Sequence, residues 1–195
     1  MIRVLLVDDH PVVLVGLERL VRSEPGFVHV GSACNGSEAL AEAERTRPDC
    51  MMLDYQIPDG GMILCRRLEE LRPAPSVVLY TAFAGERLAV AALVAGVNAV
   101  LDKAATASEI FDSMRLAARG RQEIQPSQPA LADVASELDP EQLAIFGMRI
   151  EGTPWADIGE TLRLRTEDLD ELANQLLERI EGLIAPGRPL DAVGS

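Results

Sequence analysis

Lysine is almost missing from this chain of 195 residues. Lys103 is the sole one, and the other strong bases are all arginine. Aromatic residues make up 4%, so the cores must be built from Leu, Val, Ile and Ala, which the 48% apolar content supplies. Positive charge is scarce. The formal net charge of −13 argues against binding nucleic acid or anionic lipid through general charge. No run approaches the roughly 20 apolar residues of a membrane-spanning helix. The opening MIRVLLVDDHP meets two aspartates too soon for a signal peptide. Cysteine is limited to Cys34, Cys50 and Cys65, an odd number without metal-ligand spacing, which fits buried free thiols in a reducing compartment. These absences predict a soluble, cytoplasmic chain with no membrane partner.

What is present is a regular alternation. Up to about residue 120, short continuous apolar runs at 2–7, 27–31, 50–53, 77–80 and 97–101 read as strands buried on both faces. Helical patterns follow each run, over 11–23, 37–46, 61–71, 86–95 and 106–120. Ser37 is the expected cap of the second helix, and Thr106 with Glu109 forms a capping box on the fifth. Five βα units predict an α/β fold, a (βα)5 doubly wound parallel sheet over residues 1–120. Residues 121–137, rich in Pro, Gln, Ser and Ala, read as a linker with a short helix in its second half. Residues 138–182 are purely helical in pattern. Asp139, Pro140 and Gln142 open one helix, Thr153-Pro154 a short second, and Thr166 a longer third. Three helices with tight turns predict a small all-α helix-turn-helix domain, with a tail over 183–195.

In doubly wound sheets the functional crevice lies beyond the carboxyl ends of the strands. Asp8, Asp9, Asp54, Thr81 and Lys103 all fall at those ends. Three carboxylates held together repel one another and call for a cation. Mg²⁺ suits them, because it takes one or two carboxylates, keeps several waters and accepts phosphate oxygens. Asp54 is then a candidate nucleophile toward phosphorus, forming an acyl phosphate. Lys103 and the metal would neutralise the transferring group, and Thr81 would hydrogen-bond one of its oxygens. A compact ammonium suits this place better than a planar guanidinium. No glycine loop of the phosphate-cradling kind is present, so a nucleotide site has little support.

With Asp8-Asp9-His10-Pro11, Asp54 with Pro58 four residues on, Thr81-Ala82 and Lys103 in place, residues 1–120 resemble the receiver domain of bacterial two-component response regulators. The Asp-Asp-His-Pro start and the later helix-turn-helix are similar to the NarL/FixJ subgroup, whose output domain is LuxR-like. The resemblance implies that Asp54 accepts a phosphoryl group from a histidine kinase. It also implies that Asp9 and Asp54, assisted by Asp8 and the carbonyl of Gln56, bind Mg²⁺, and that Thr81 and Lys103 sense the phosphate. Such a chain is no enzyme beyond removing its own phosphate. The chain departs from the family pattern at three places. The stretch DYQIPDGGM is one residue shorter than the family's loop, Val100 stands where a switch aromatic is usual, and Phe83 is bulky enough to slow hydrolytic water. Phosphorylation with an atypical conformational response is expected.

The helical region departs further. Over residues 138–195 there are 5 basic and 12 acidic residues, a net of −7. LuxR-like domains usually carry lysines, a threonine and a histidine along the third helix, yet Asp170 and Leu172 stand at two such positions, and Ala156 replaces a common lysine. Binding driven by counterion release has little to act on, although Arg163, Arg165 and Arg179 could reach phosphates. The apolar spacing of Leu143, Phe146, Ile150, Ile158, Leu162, Leu164, Leu169, Ala173, Leu176 and Ile180 still predicts a packed three-helix core. Leu172 and Leu177 widen the stripe of the last helix, as would suit a protein partner or the seam of a homodimer. Trp155 is expected to cover the edge of the core. A protein-binding or dimerising output is therefore favoured, with a DNA-binding transcription regulator as the alternative.

Overall fold

The computed structural model describes residues 1–82 and 84–184. Five strands, β1 (Ile2–Val7), β2 (Phe27–Ala33), β3 (Cys50–Leu53), β4 (Ser76–Thr81) and β5 (Ala99–Asp102), form one parallel sheet in the order β2-β1-β3-β4-β5. Between and after them run α1 (Pro11–Ser23), α2 (Gly36–Thr46), α3 (Gly61–Glu69), α4 (Glu86–Val94) and α5 (Ala107–Ala117). Period-two alternation sends Val4 and Leu6 of β1 to the side of α1 and α5, where they join Leu17, Val21, Phe111 and Met114. Leu5 and Val7 face the other way, toward α2, α3 and α4. The Thr106–Glu109 capping box opens α5 as its sequence requires. The cap of α2 is Asn35 and not Ser37, because the Asn35 side chain accepts the Glu38 amide one turn in. Cys50 and Cys65 are buried, whereas Cys34 is exposed on the approach to α2.

Four more helices follow, α6 (Gln128–Ser136), α7 (Pro140–Ile150), α8 (Trp155–Leu162) and α9 (Thr166–Ile184). Asp139 caps α7 with the reciprocal Gln142 bond. The segment 121–137 lies along the sheet layer. Gln122 donates to the carbonyl of Val97, Ile124 is buried, and α6 turns Ala130 and Val134 inward against α4. Residues 183 and 184 complete α9, with Leu183 buried. The rest of the expected tail, and Phe83, lie outside the described residues.

The helical unit packs on the sheet layer through α3 and α4. α9 crosses both, while α6 and α7 cover α4. A single apolar cluster therefore runs from Leu53 and Leu79 in the sheet, through Leu88 and Val94 of α4, to Phe146, Trp155, Leu176, Leu177 and Ile180. α4 reads ERLAVAALV, with little polar face to give to water, and a helix apolar on most sides must be covered on most sides. Of the three-helix core residues, Leu143 and Leu162 are exposed and the others are buried or packed against the cluster. Leu177, wholly buried, and Leu172 face the chain's own α/β layer, which occupies the stripe that their spacing left open.

Polar groups cross the same seam. Arg66 of α3 pairs with Asp170 and lies within 3.4 Å of Asn174, both on α9. Arg149 of α7 donates to Glu69 at 2.8 Å and to the carbonyls of Val94 at 2.8 Å and Thr153 at 2.9 Å. The ring of Trp155, buried as expected, has the Arg149 guanidinium 4.5 Å and that of Arg66 5.3 Å from its centroid.

Candidate functional site

Strand register builds the site. Val7 pairs with Leu53, Leu53 with Leu79, and Thr81 with Asp102, so the residues that follow each strand emerge at one edge. The Asp54 amide donates to the Val7 carbonyl at 2.8 Å, which locks the end of β3 to the end of β1. The Lys103 amide donates to the Thr81 carbonyl at 2.9 Å and does the same for β5 and β4. Asp8 and Asp54 are buried, at 1% and 5% exposure, and Thr81 is fully buried, whereas Asp9 faces solvent.

The ammonium of Lys103 lies 2.8 Å from Asp8 Oδ2 and 2.8 Å from Asp54 Oδ2. Partial burial pulls the Lys103 pKa down, but the hydrogen bonds to Asp54 and Asp8 outweigh it and hold the value above the ordinary one. The lysine therefore stays charged through the neutral range. Asp8, Asp9, His10 and Asp54 each offer a ligand atom within 4.8 Å of the others. Three carboxylates around one lysine leave a formal surplus of negative charge, and this oxygen-rich set could hold a metal ion. Gln56 sits beside it, its amide 3.2 Å from Asp54 Oδ1. Each of the six predicted site residues thus lies at the carboxyl edge, with Asp8, Asp54 and Lys103 in direct contact.

Residues 4–115 match the response regulator receiver domain family. The chain belongs to that family. It is 28% identical over 192 residues to the DNA-binding transcriptional activator DevR/DosR of Mycobacterium tuberculosis, covering 92% of this chain and 88% of that one. It is 34% identical to the response regulator GacA of Pseudomonas viridiflava over 65% of this chain, which spans only 59% of that relative. Among solved structures, a two-component response regulator of the LuxR family from Aurantimonas sp. SI85-9A1 superposes with a TM-score of 0.59. It shares 28% identity and covers 68% of this chain and 94% of its own.

The sequence pattern had not marked two members of this receiver site. His10 closes the mouth of the pocket. Its Nδ1 lies 2.8 Å from Asp9 Oδ1 and 3.2 Å from Asp8 Oδ1, and its amide donates to Asp8 Oδ1 at 2.8 Å. Tyr80 donates its hydroxyl to the Lys103 carbonyl at 3.0 Å, and its ring centroid lies 5.9 Å from the Lys103 ammonium. An aromatic residue one position before Thr81 was the available signal for the second. Val100, in the place of the usual switch aromatic, is partly buried and packs against the main apolar cluster.

Proposed function

We propose that this response regulator takes a phosphoryl group on Asp54 from a sensor histidine kinase in the cytoplasm. Mg²⁺ is the ion we assign to Asp8, Asp9, Asp54 and the Gln56 carbonyl. It would supply charge neutralisation at the phosphoryl oxygens. An Asp54 carboxylate oxygen attacks phosphorus, a P–O bond forms, and the P–N bond to the donor imidazole breaks with its electron pair returning to nitrogen. Lys103 then faces a phosphoryl oxygen in place of a bare carboxylate, and Thr81 supplies a hydroxyl at the same edge. The observation that carries this reading is the Lys103 ammonium at hydrogen-bond distance from both buried aspartates. The chain is not an enzyme toward other substrates; it accepts phosphate and removes its own. Labelling from acetyl phosphate with Mg²⁺, read by intact mass, should vanish in Asp54→Asn. Equal labelling of that variant would sink the assignment.

The helical unit is proposed to act as a docked interaction module, through protein contacts or a homodimer, with DNA as the lesser alternative. Supporting this, the three arginines that could meet phosphates form no common patch. Arg165 is spent on Asp168 at 2.6 Å, and Arg179 lies 3.5 Å from Glu137. Fourteen residues of helix, about 20 Å at 1.5 Å per residue, separate these two arginines. The likeness to DevR/DosR favours the alternative. Tight, sequence-specific binding by the full chain in a shift assay at physiological salt would establish it over the first reading.

A further inference from the structure

α3 begins without the means to cap itself. Its N-cap position is Gly60, which has no side chain, and no acidic residue stands in its first turn. The first amides of a helix need an acceptor, and the positive end of the helix favours an anionic one. The acceptor comes from the far end of the chain. Glu181 of α9 places Oε1 3.0 Å from the Met62 amide and 3.2 Å from the Tyr55 hydroxyl. One carboxylate oxygen thus receives a donor from each end of the loop that runs from Asp54 to α3. The loop is fixed to fit it. Gly61 has φ +76°, and a Cβ there would come within 2.7 Å of Glu181 Oε1. On the opposite side the Gly36 amide donates to the Pro58 carbonyl at 2.8 Å, and a Cβ on Gly36 would strike the Asp59 carbonyl at 1.7 Å. The loop is therefore held between α2 and α9, with no slack on either side.

That loop carries Asp54 at its start and, two residues on, the Gln56 carbonyl assigned above to the metal. The geometry points to Glu181 as a positioning residue for the phosphoacceptor loop: docking of α9 fixes the loop and so sets how fast Asp54 gains its phosphoryl group. This rests on the receiver reading of Asp54. Glu181 touches no reacting atom and acts through the backbone of Met62 and the ring of Tyr55. The loop is the short one, DYQIPDGGM, and a cap delivered by the helical unit compensates for the turn it lacks. By linkage, whatever docking does to the Asp54 site, occupancy of the site must do to docking.

The test uses the full chain and two readouts. The first is hydrogen exchange of the Met62 amide without metal or phosphodonor. The second is the initial rate of labelling from acetyl phosphate at fixed Mg²⁺. Glu181→Ala should speed Met62 exchange roughly tenfold or more, as expected for losing a charge-assisted hydrogen bond, and should slow labelling by about tenfold, since misplacement of reacting groups is felt steeply. Glu181→Gln keeps an acceptor oxygen of the same reach and should restore both close to the unaltered chain. Glu181→Asp, one carbon shorter and still charged, should fall between them, and it serves if the alanine variant does not fold. Met62 exchange unchanged in the alanine or aspartate variant overturns the proposal. So does faster exchange with labelling unaltered. Absence of labelling in the unaltered chain overturns the receiver reading itself, while the exchange result still reports on the cap.

Discussion

The two buried arginines at the seam should differ in worth, and the difference follows from what each leaves behind. Both side chains are 4% exposed. Replacing Arg66 with Met removes the pairing to Asp170 and Glu70, but those carboxylates are 47% and 50% exposed and can turn to water. The variant also escapes the desolvation of a guanidinium whose Nε has no partner. A loss of about 1 kcal/mol or less is expected. Replacing Arg149 with Met is different. Its Nε serves the carbonyl of Val94, a residue with no exposed surface, and its Nη1 serves that of Thr153. Each buried acceptor left unsatisfied costs about 1–3 kcal/mol, whereas Glu69, at 32% exposure, is partly rehydrated. The gain from no longer burying a guanidinium, whose pKa is lowered chiefly by desolvation, offsets part of this. A net loss of about 2–4 kcal/mol remains. For a chain of this size that is roughly 5–15 °C in Tm. Urea unfolding followed in parallel by Trp155 fluorescence and far-UV circular dichroism measures both variants. Trp155 reports the seam and dichroism the whole chain, so coincident curves also test cooperativity. An Arg66→Met loss equal to or above the Arg149→Met loss would refute the reasoning.

Two shorter predictions concern the site and the thiols. Lys103→Met leaves Asp8 and Asp54 buried without their shared cation and should cost about 2–4 kcal/mol in metal-free buffer; millimolar Mg²⁺ should return most of it, and denaturation midpoints with and without Mg²⁺ decide this. Burial pushes the Cys50 and Cys65 thiols up to about 12, so almost no thiolate is present at pH 8 and neither sulfur is accessible. A thiol reagent at that pH should add once, at Cys34, to the folded chain and three times in denaturant, as counted by mass.

The sheet and its edge were legible because their signals are local. Continuous apolar runs set the strands, strand ends set where Asp8, Asp54, Thr81 and Lys103 emerge, and parallel order places those ends together. The cap of α2 was misread by two residues, since Asn35 and Ser37 are both good caps and only geometry chooses between them. Docking was less legible. Leu172 and Leu177 announced a partner, and the Ala-rich, weakly amphipathic α4 announced a helix covered on several sides, but neither pattern names the other. Arg66 and Asp170 are 104 residues apart, and Glu181 and Met62 are 119 apart. No periodicity links such pairs. The missing cap of α3 was a usable signal that had been read only as a shortened loop.

The acidity of α9 takes on a different meaning once docking is included. Asp170 stands where related domains usually carry lysine, and as a sequence feature it looks like a cation lost from a DNA-reading helix. In the folded chain it faces Arg66, a buried guanidinium that needs an anion. Glu181 likewise meets a helix N-terminus. The acids on the inner side of α9 therefore match positive groups of the α/β layer, while Glu167, Glu171 and Glu178 face solvent and would repel a phosphate backbone. Asp170→Lys separates the two accounts. If the aspartate is simply a missing DNA contact, restoring lysine leaves stability near that of the unaltered chain. If it is a docking contact, lysine sets like charges against a buried arginine and should lose about 2–4 kcal/mol, with most of that loss absent when Arg66 is already Met. The double-mutant cycle, read from urea midpoints, gives the coupling directly. A coupling below about 0.5 kcal/mol would show that the acid at position 170 is not held there by the seam.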